Sequence, residues 1–319
     1  MMRPPMQAAG WRHLGRSRFG IIAAFIVTVA TFAVLSPVFL TAGNLVNIAN
    51  QTAIISILGF AMTLVMLSGG IDLSVGSLVS LSSVLVALQL DAKLPLAAAI
   101  ATSLAAGALL GATAGFIIAH WRIQSFLVTL GLLSVARGLS LVLSEGRTLY
   151  IEDSAFLDLT ALGTAGPIPA LMIWTLVTLA LAWILLNRST FGRRVRALGG
   201  NAEAARQAGI SALGVSVRVF MLSGSLAAFA GLLMAGRLSA GIPTVGVGLE
   251  LDAIAAAVLG GTGFKGEGGS LAGTLFGALI MGTLVNGFVL LGINPYVQEI
   301  AKGVIIVLAV ILLAPQRSS

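Results

Sequence analysis

Cysteine is absent from the 319 residues, so the chain can build neither a disulfide nor a thiolate metal site. Charge is scarce as well. Only 9% of residues are Asp, Glu, Lys or Arg, against about 25% in a soluble domain, so too little polar surface exists to cover a globule in water. There are two histidines, His13 and His120, and no His-Glu-x-x-His, which leaves no metal-ligand set. No Gly-Lys dipeptide occurs, so the usual phosphate-cradling loop is missing. No serine sits in Gly-x-Ser-x-Gly. These absences disfavour a hydrolase, a nucleotide-driven motor within this chain, a resident cofactor and a metalloenzyme.

Apolar residues fill the space instead. They make up 58% of the chain, mean hydropathy is +1.05, and 39 glycines suit close helix contact in lipid. The expected fold class is an all-α polytopic membrane protein. Ten apolar runs lie at 19–36, 45–67, 76–90, 94–119, 126–144, 168–186, 215–236, 251–261, 271–291 and 296–314. Most approach the ~20 residues that cross a bilayer. The runs at 76–90 and 251–261 are short, which points to tilted, broken or re-entrant spans. The expected organisation is a basic tail over 1–18, one transmembrane domain over 19–314, and a second tail over 315–319. The basic start leads into a long apolar run with no small-residue cleavage site, so it reads as a retained first span.

The net charge of +7 does not point to nucleic acid, because it sits in a few loops without interleaved aromatics. It sets topology instead. With both termini cytoplasmic, Arg3, Arg12, Arg16, Arg18, Arg122, Lys265, Arg317 and the loop 187–214 fall inside. The long outside loop, 145–167, carries Glu145, Glu152, Asp153 and Asp158 against Arg147.

The loop 187–214 is the most basic connection, with Arg188, Arg193, Arg194, Arg196 and Arg206 facing the single acid Glu203. Asn201 is placed to cap a short helix over 202–208, and Gly209 suits its stop. Glu203 in the first turn and Arg206 in the last suit the helix dipole. A two-turn helix of small alanines buries little of itself, so its use is to be gripped by another protein. Arg193 and Arg194 read as topology signals.

Other groups admit two readings each. Asp72 is either a coupling-ion ligand or a brace for its turn. Arg137, a charge inside a span, is a pathway group or is paired or snorkelling. Asn47, Asn50, Gln51, Asn286 and Gln298 suit a polyol pathway, or hydrogen-bond between helices. Gly107, Gly111 and Gly115 share one helical face, repeated once by Gly273 and Gly277; they form a dimer or channel seam, or ordinary internal packing. A Gly-Gly and Gly-Ser-Leu echo, at residues 69–78 and 260–271, hints at duplication. Arg147 and Arg237 could meet a partner outside.

Three stretches resemble the permease subunit of ribose-type ABC sugar importers: NIANQTAIISILGFAMTLVMLSGGIDLSVG at 47–76, ALGGNAEAARQAGI at 197–210, and 250–302, which includes LDAIAAAVLGGTGFKGEGGS and later YVQEIAKG. The charged turn Phe264-Lys265-Gly266-Glu267 departs from the shorter turn common there. The resemblance implies a homodimer of permease copies in the bacterial inner membrane, moving ribose or a similar monosaccharide by alternating access. It implies a separate ABC ATPase subunit that holds ATP and Mg, and a periplasmic sugar-binding protein. Gly199, Gly200, Asn201, Ala204, Ala205 and Gly209 would then form the ATPase-coupling surface, and Arg147 and Arg237 the docking rim. The alternative is a single-subunit, ion-coupled secondary transporter, which needs Asp72 or Arg137 as its ion site.

Overall fold

A computed structural model describes residues 10–165, 168–263, 266 and 268–313. The tail up to residue 9, the turn residues Phe264, Lys265 and Glu267, and the tail 315–319 lie outside the described residues. Each of the ten apolar runs is helical: α1 (Gly10–Leu35), α2 (Ala42–Leu67), α3 (Val75–Asp91), α4 (Leu96–Trp121), α5 (Ser125–Ser144), α7 (Ala170–Asn187), α10 (Ala212–Leu238), α11 (Leu249–Leu259), α12 (Leu271–Leu290) and α13 (Pro295–Leu313). Three further helices lie in connections: α6 (Ser154–Leu157), α8 (Thr190–Gly200) and α9 (Ala202–Gln207). Among the described residues six helices, α2, α4, α5, α7, α10 and α12, are long and apolar enough to cross a membrane. Helices are what an apolar chain must form there, because each satisfies its backbone within itself.

The core is built round α2, which is buried almost continuously from Thr52 to Leu67. Helices α7, α10, α11 and α12 pack around it. The glycine stripe on α4 is an internal seam. A Cβ on Gly107 would lie 2.5 Å from the Gly224 carbonyl oxygen, one on Gly111 2.1 Å from that of Phe220, and one on Gly115 2.7 Å from that of Ser216. Gly224 answers from α10, where a Cβ would sit 2.1 Å from the Gly107 oxygen. Gly273 and Gly277 do the same for α12, against the carbonyls of Gly260 and Ala256 at 2.2 and 2.1 Å. Both stripes are internal packing, with backbone on backbone. Gly111→Ala is therefore expected to push α4 off α10 and cost about 1–3 kcal/mol, as overpacking does. A lower unfolding temperature in detergent checks it, with exposed Gly131→Ala, which meets nothing, as control.

The two short runs meet at one non-helical segment. Helix α11 has 11 residues, about 16 Å, roughly half the ~30 Å hydrocarbon core. The chain before it runs non-helically along α3. Gly241 lies against Ser83 and Ala87, and Gly246 against Gly76 and Ser80. Serine hydroxyls answer this backbone: Gly246 N–H donates to Ser80 Oγ at 2.9 Å, and Ser83 Oγ donates to the Ile242 carbonyl at 3.3 Å. Non-helical backbone is thus covered by protein, as its polar groups require.

Both glycine pairs of the echo end a helix, but one residue out of register: the left-handed glycine is the first of the pair at 69 and the second at 261. Helix α2 ends with Gly70 N–H on the Val65 carbonyl and Gly69 N–H on that of Met66; α11 ends with Thr262 N–H on Ala257 and Gly261 N–H on Val258. Gly69 and Gly261 take φ of +85° and +86°, the left-handed turn that glycine adopts without strain. The stretch 145–165 of the outside loop is more ordered than its polar sequence suggests. Asp153 caps α6 by accepting from Phe156 N–H, a π-helical turn covers Asp158–Leu162, and Leu149–Tyr150 pairs antiparallel with Ala240–Gly241. Phe156 is fully buried against Val86, Leu90 and Leu232.

Candidate functional site

The basic connection folds into two helices rather than the single one expected. Ser189 starts α8 by accepting from Gly192 N–H. Its apolar residues Phe191, Val195 and Leu198 recur at helical spacing and pack beside Phe60, Leu67 and Val219. Arg193 and Arg194 point outward, and Arg196 donates to Asn187 Oδ1 at 3.0 Å. Helix α9 follows with the expected ends. Asn201 Oδ1 accepts from Ala204 N–H at 2.9 Å. Gly209 takes φ +77° and Ile210 N–H closes onto the Ala205 carbonyl. Glu203 and Arg206 pair at 2.7 Å on the exposed face, and this contact holds the Glu203 carboxyl below its usual range.

A six-residue helix is too short to persist alone. Capping and the burial of Ala205 hold it. Ala205 faces its own chain, whereas Ala202, Ala204, Ala208, Gly200 and Gly209 are exposed. Gly199 is half-buried and touches the α2–α3 turn. The surface left for a partner is made of small residues, edged by the Glu203–Arg206 pair.

The polar residues inside the bundle do not converge on one site. Asn286 on α12 and Asn44 on α2 exchange amide hydrogen bonds of 2.9 and 3.0 Å, which commits Asn286 to the helix contact. Gln298 is buried and donates to the Ile293 carbonyl at 2.8 Å. Asn47 is exposed. Asn50 Oδ1 and Gln51 Oε1 are buried without a hydrogen-bond partner, so two acceptors remain open on this stretch of α2. Asp72 is 1% exposed; Ser74 N–H, Ser74 Oγ and Ser223 Oγ donate to it at 3.0, 2.6 and 2.7 Å. It ties the α2–α3 turn to α10. Arg137 is half-buried on α5 and has no carboxylate partner among the described residues.

Arg137 is not the only charge within an apolar helix. Asp252 on α11 pairs with Lys302 on α13 at 3.3 Å, and Lys302 also meets Glu299 at 3.0 Å. Their spacing of fifty residues gives no periodic signal; the clue was opposite charges within two apolar runs. Arg147 pairs with Glu145 on the surface, and Arg237 lies half-buried in the last turn of α10. The described residues contain no group of three metal-ligating side chains.

Comparison with known proteins extends this picture. A family model described as branched-chain amino acid transport system, permease component, matches residues 44–310. The ribose import permease protein RbsC of Escherichia coli K12 is 41% identical over 295 residues, covering 91% of this chain and 92% of that one. RbsC of Bacillus subtilis 168 is 39% identical, with 92% of each chain covered. The L-arabinose ABC transporter permease protein AraH of Azospirillum brasilense is 36% identical, covering 96% of this chain and 90% of its own. No solved structure matches the chain significantly. Six candidate spans among the described residues and permease relatives agree on a multi-pass protein of the bacterial inner membrane. With that match over most of its length, the chain belongs to the family of ABC transport permease components that includes the ribose and arabinose permeases.

Proposed function

We propose that this chain is the membrane permease of an ATP-driven importer, passing ribose or a similar monosaccharide from a periplasmic binding protein to the cytoplasm by alternating access. The relatives' sugar-permease names over nine-tenths of both chains support the substrate class. The observation that carries the mechanism is α9: a capped, exposed, small-residue helix on a chain with no phosphate-binding motif of its own. It is the seat for an ATPase made as a separate chain, which holds ATP and Mg. Two permease copies form the gate in this reading. Ten spans with both termini inside agree with ten helices at the ten apolar runs and with the placement of arginine. Asn50 and Gln51, with open acceptors, are the best-placed pathway groups, and Arg147 and Arg237 lie at the proposed docking end.

The ion-coupled alternative loses its main acid, since Asp72 is taken up by Ser74 and Ser223. Uptake of radiolabelled ribose into vesicles separates the two. It is expected to need ATP, the ATPase and the binding protein, and to survive collapse of the proton and sodium gradients. Uptake by this chain alone, driven by an ion gradient, would refute the proposal.

A further inference from the structure

Gly199 and Gly200 are adjacent in sequence and opposite in environment. A Cβ on Gly200 meets nothing within 4 Å. A Cβ on Gly199 would lie 2.1 Å from the Leu67 carbonyl oxygen and 3.0 Å from Gly69 N. Gly199 thus rests on the turn that ends α2. It also rests against a second turn. A Cβ on Gly266 would come within 3.2 Å of the Gly199 Cα, carbonyl carbon and oxygen. Gly266 belongs to the link from α11 to α12, which follows the Gly261 turn.

The first is the Gly69 turn that closes α2; the second, closed by Gly266 N–H on the Gly263 carbonyl, lies just beyond the Gly261 turn that closes α11. Backbone here meets backbone on both sides, with no side chain to absorb a displacement. Packed contacts of this kind shift as a unit. A crevice of about 570 Å³, bordered by Leu67, Arg196, Gly260 and Gly261, leaves room beside the joint.

We infer that Gly199 is the positioning residue through which one push on α9 moves two membrane elements together, the α2–α3 turn and the α11–α12 link. The inference rests on the proposed role of α9 as the ATPase seat. Displacement of α9 is passed through Asn201 and Gly200 to the last turn of α8. From there it reaches α3 through the Gly69 turn and the short α11 through the Gly261 turn. Both lead to the layer where the non-helical segment 240–248 lies on α3. One stroke thereby acts on both arms of a re-entrant structure.

The test uses the assembled transporter, permease with its ATPase and binding protein, in proteoliposomes. In Gly199→Ala the ATPase is expected to co-purify and hydrolyse ATP as in wild type, while sugar uptake falls about tenfold, within the usual range of coupling between sites. Gly131→Ala on α5, where a Cβ also meets nothing within 4 Å, is expected to match wild type in both. Wild-type uptake by Gly199→Ala, or equal loss in both variants, overturns the inference. Failure of the α9 reading appears separately, as an ATPase that still co-purifies with Ala204→Arg. Should Gly199→Ala not accumulate, hydrogen exchange on the wild-type transporter decides. Adding ATP is expected to change protection at residues 66–70 and 260–269 together. A change at one turn alone, or at neither, sinks the idea.

Discussion

Replacing Ala204 with arginine is expected to leave the permease in the membrane at its normal level and to reduce sugar uptake to background. Ala204 is exposed on α9, so its side chain projects away from the chain's own packing, while its N–H donates to Asn201 Oδ1. The substitution removes no internal contact, and arginine is a good helix former. Folding should therefore be spared. The cost falls on the partner. A surface of small residues is useful only when another protein closes on it. A guanidinium there must displace the partner or be buried without a counter-charge. Residues at the centre of such contacts commonly carry about 2–4 kcal/mol, or 30- to 1,000-fold in affinity. The ATPase should be lost from the purified complex to that degree. Ala204→Ser, which adds one oxygen, should retain both the ATPase and uptake. Arginine at the exposed Gln207, at the edge of the face, should have a smaller effect. Normal uptake by Ala204→Arg would remove α9 from the coupling path.

The ends of α9 were legible because capping is local chemistry. Asn201 and Gly209 act within five residues of themselves, and no distant contact overrides them. The ten helices were legible for a similar reason, since an apolar run in a membrane must satisfy its backbone within itself. Helix α8 was hidden by its own surface. Arg193, Arg194 and Arg196 make the segment look like a loop, although Phe191, Val195 and Leu198 mark one buried stripe. The glycine stripe announced a tight helix contact but not its partner. Only the placement of Gly224 settles that α10 fills it. The Asp252–Lys302 pair and the meeting of two turns at Gly199 join residues far apart in sequence, which no local pattern encodes. Polar residues were the least legible of all. Asn50 and Asn286 have similar chemistry, yet one is closed in an amide pair and the other leaves an acceptor open.

Asp72→Ala is expected to destabilise the permease severely, and Asp72→Asn only mildly. The carboxylate receives three donors at a site with 1% exposure, two from Ser74 and one from Ser223. Alanine leaves all three without an acceptor. A buried donor left unpaired costs about 1–3 kcal/mol, so the total reaches several kcal/mol. Against a typical stability of about 5–15 kcal/mol, that is enough to unfold much of the protein at growth temperature. Asparagine keeps one oxygen for Ser74, and the Ser223 hydroxyl can rotate to accept from the new amide. Its cost should stay near 1 kcal/mol, about that of a single exchanged hydrogen bond. Ser223→Ala in the Asp72→Ala background should recover part of the loss, because partners in one network are not additive. Thermal loss of monodisperse protein in detergent measures the whole series. The same variants test the ion-site reading of this acid. A coupling-ion ligand would make Asp72→Asn inactive at normal stability, whereas a brace makes activity follow the amount of folded protein. Wild-type thermal behaviour in Asp72→Ala would show that the tie between the α2–α3 turn and α10 is dispensable.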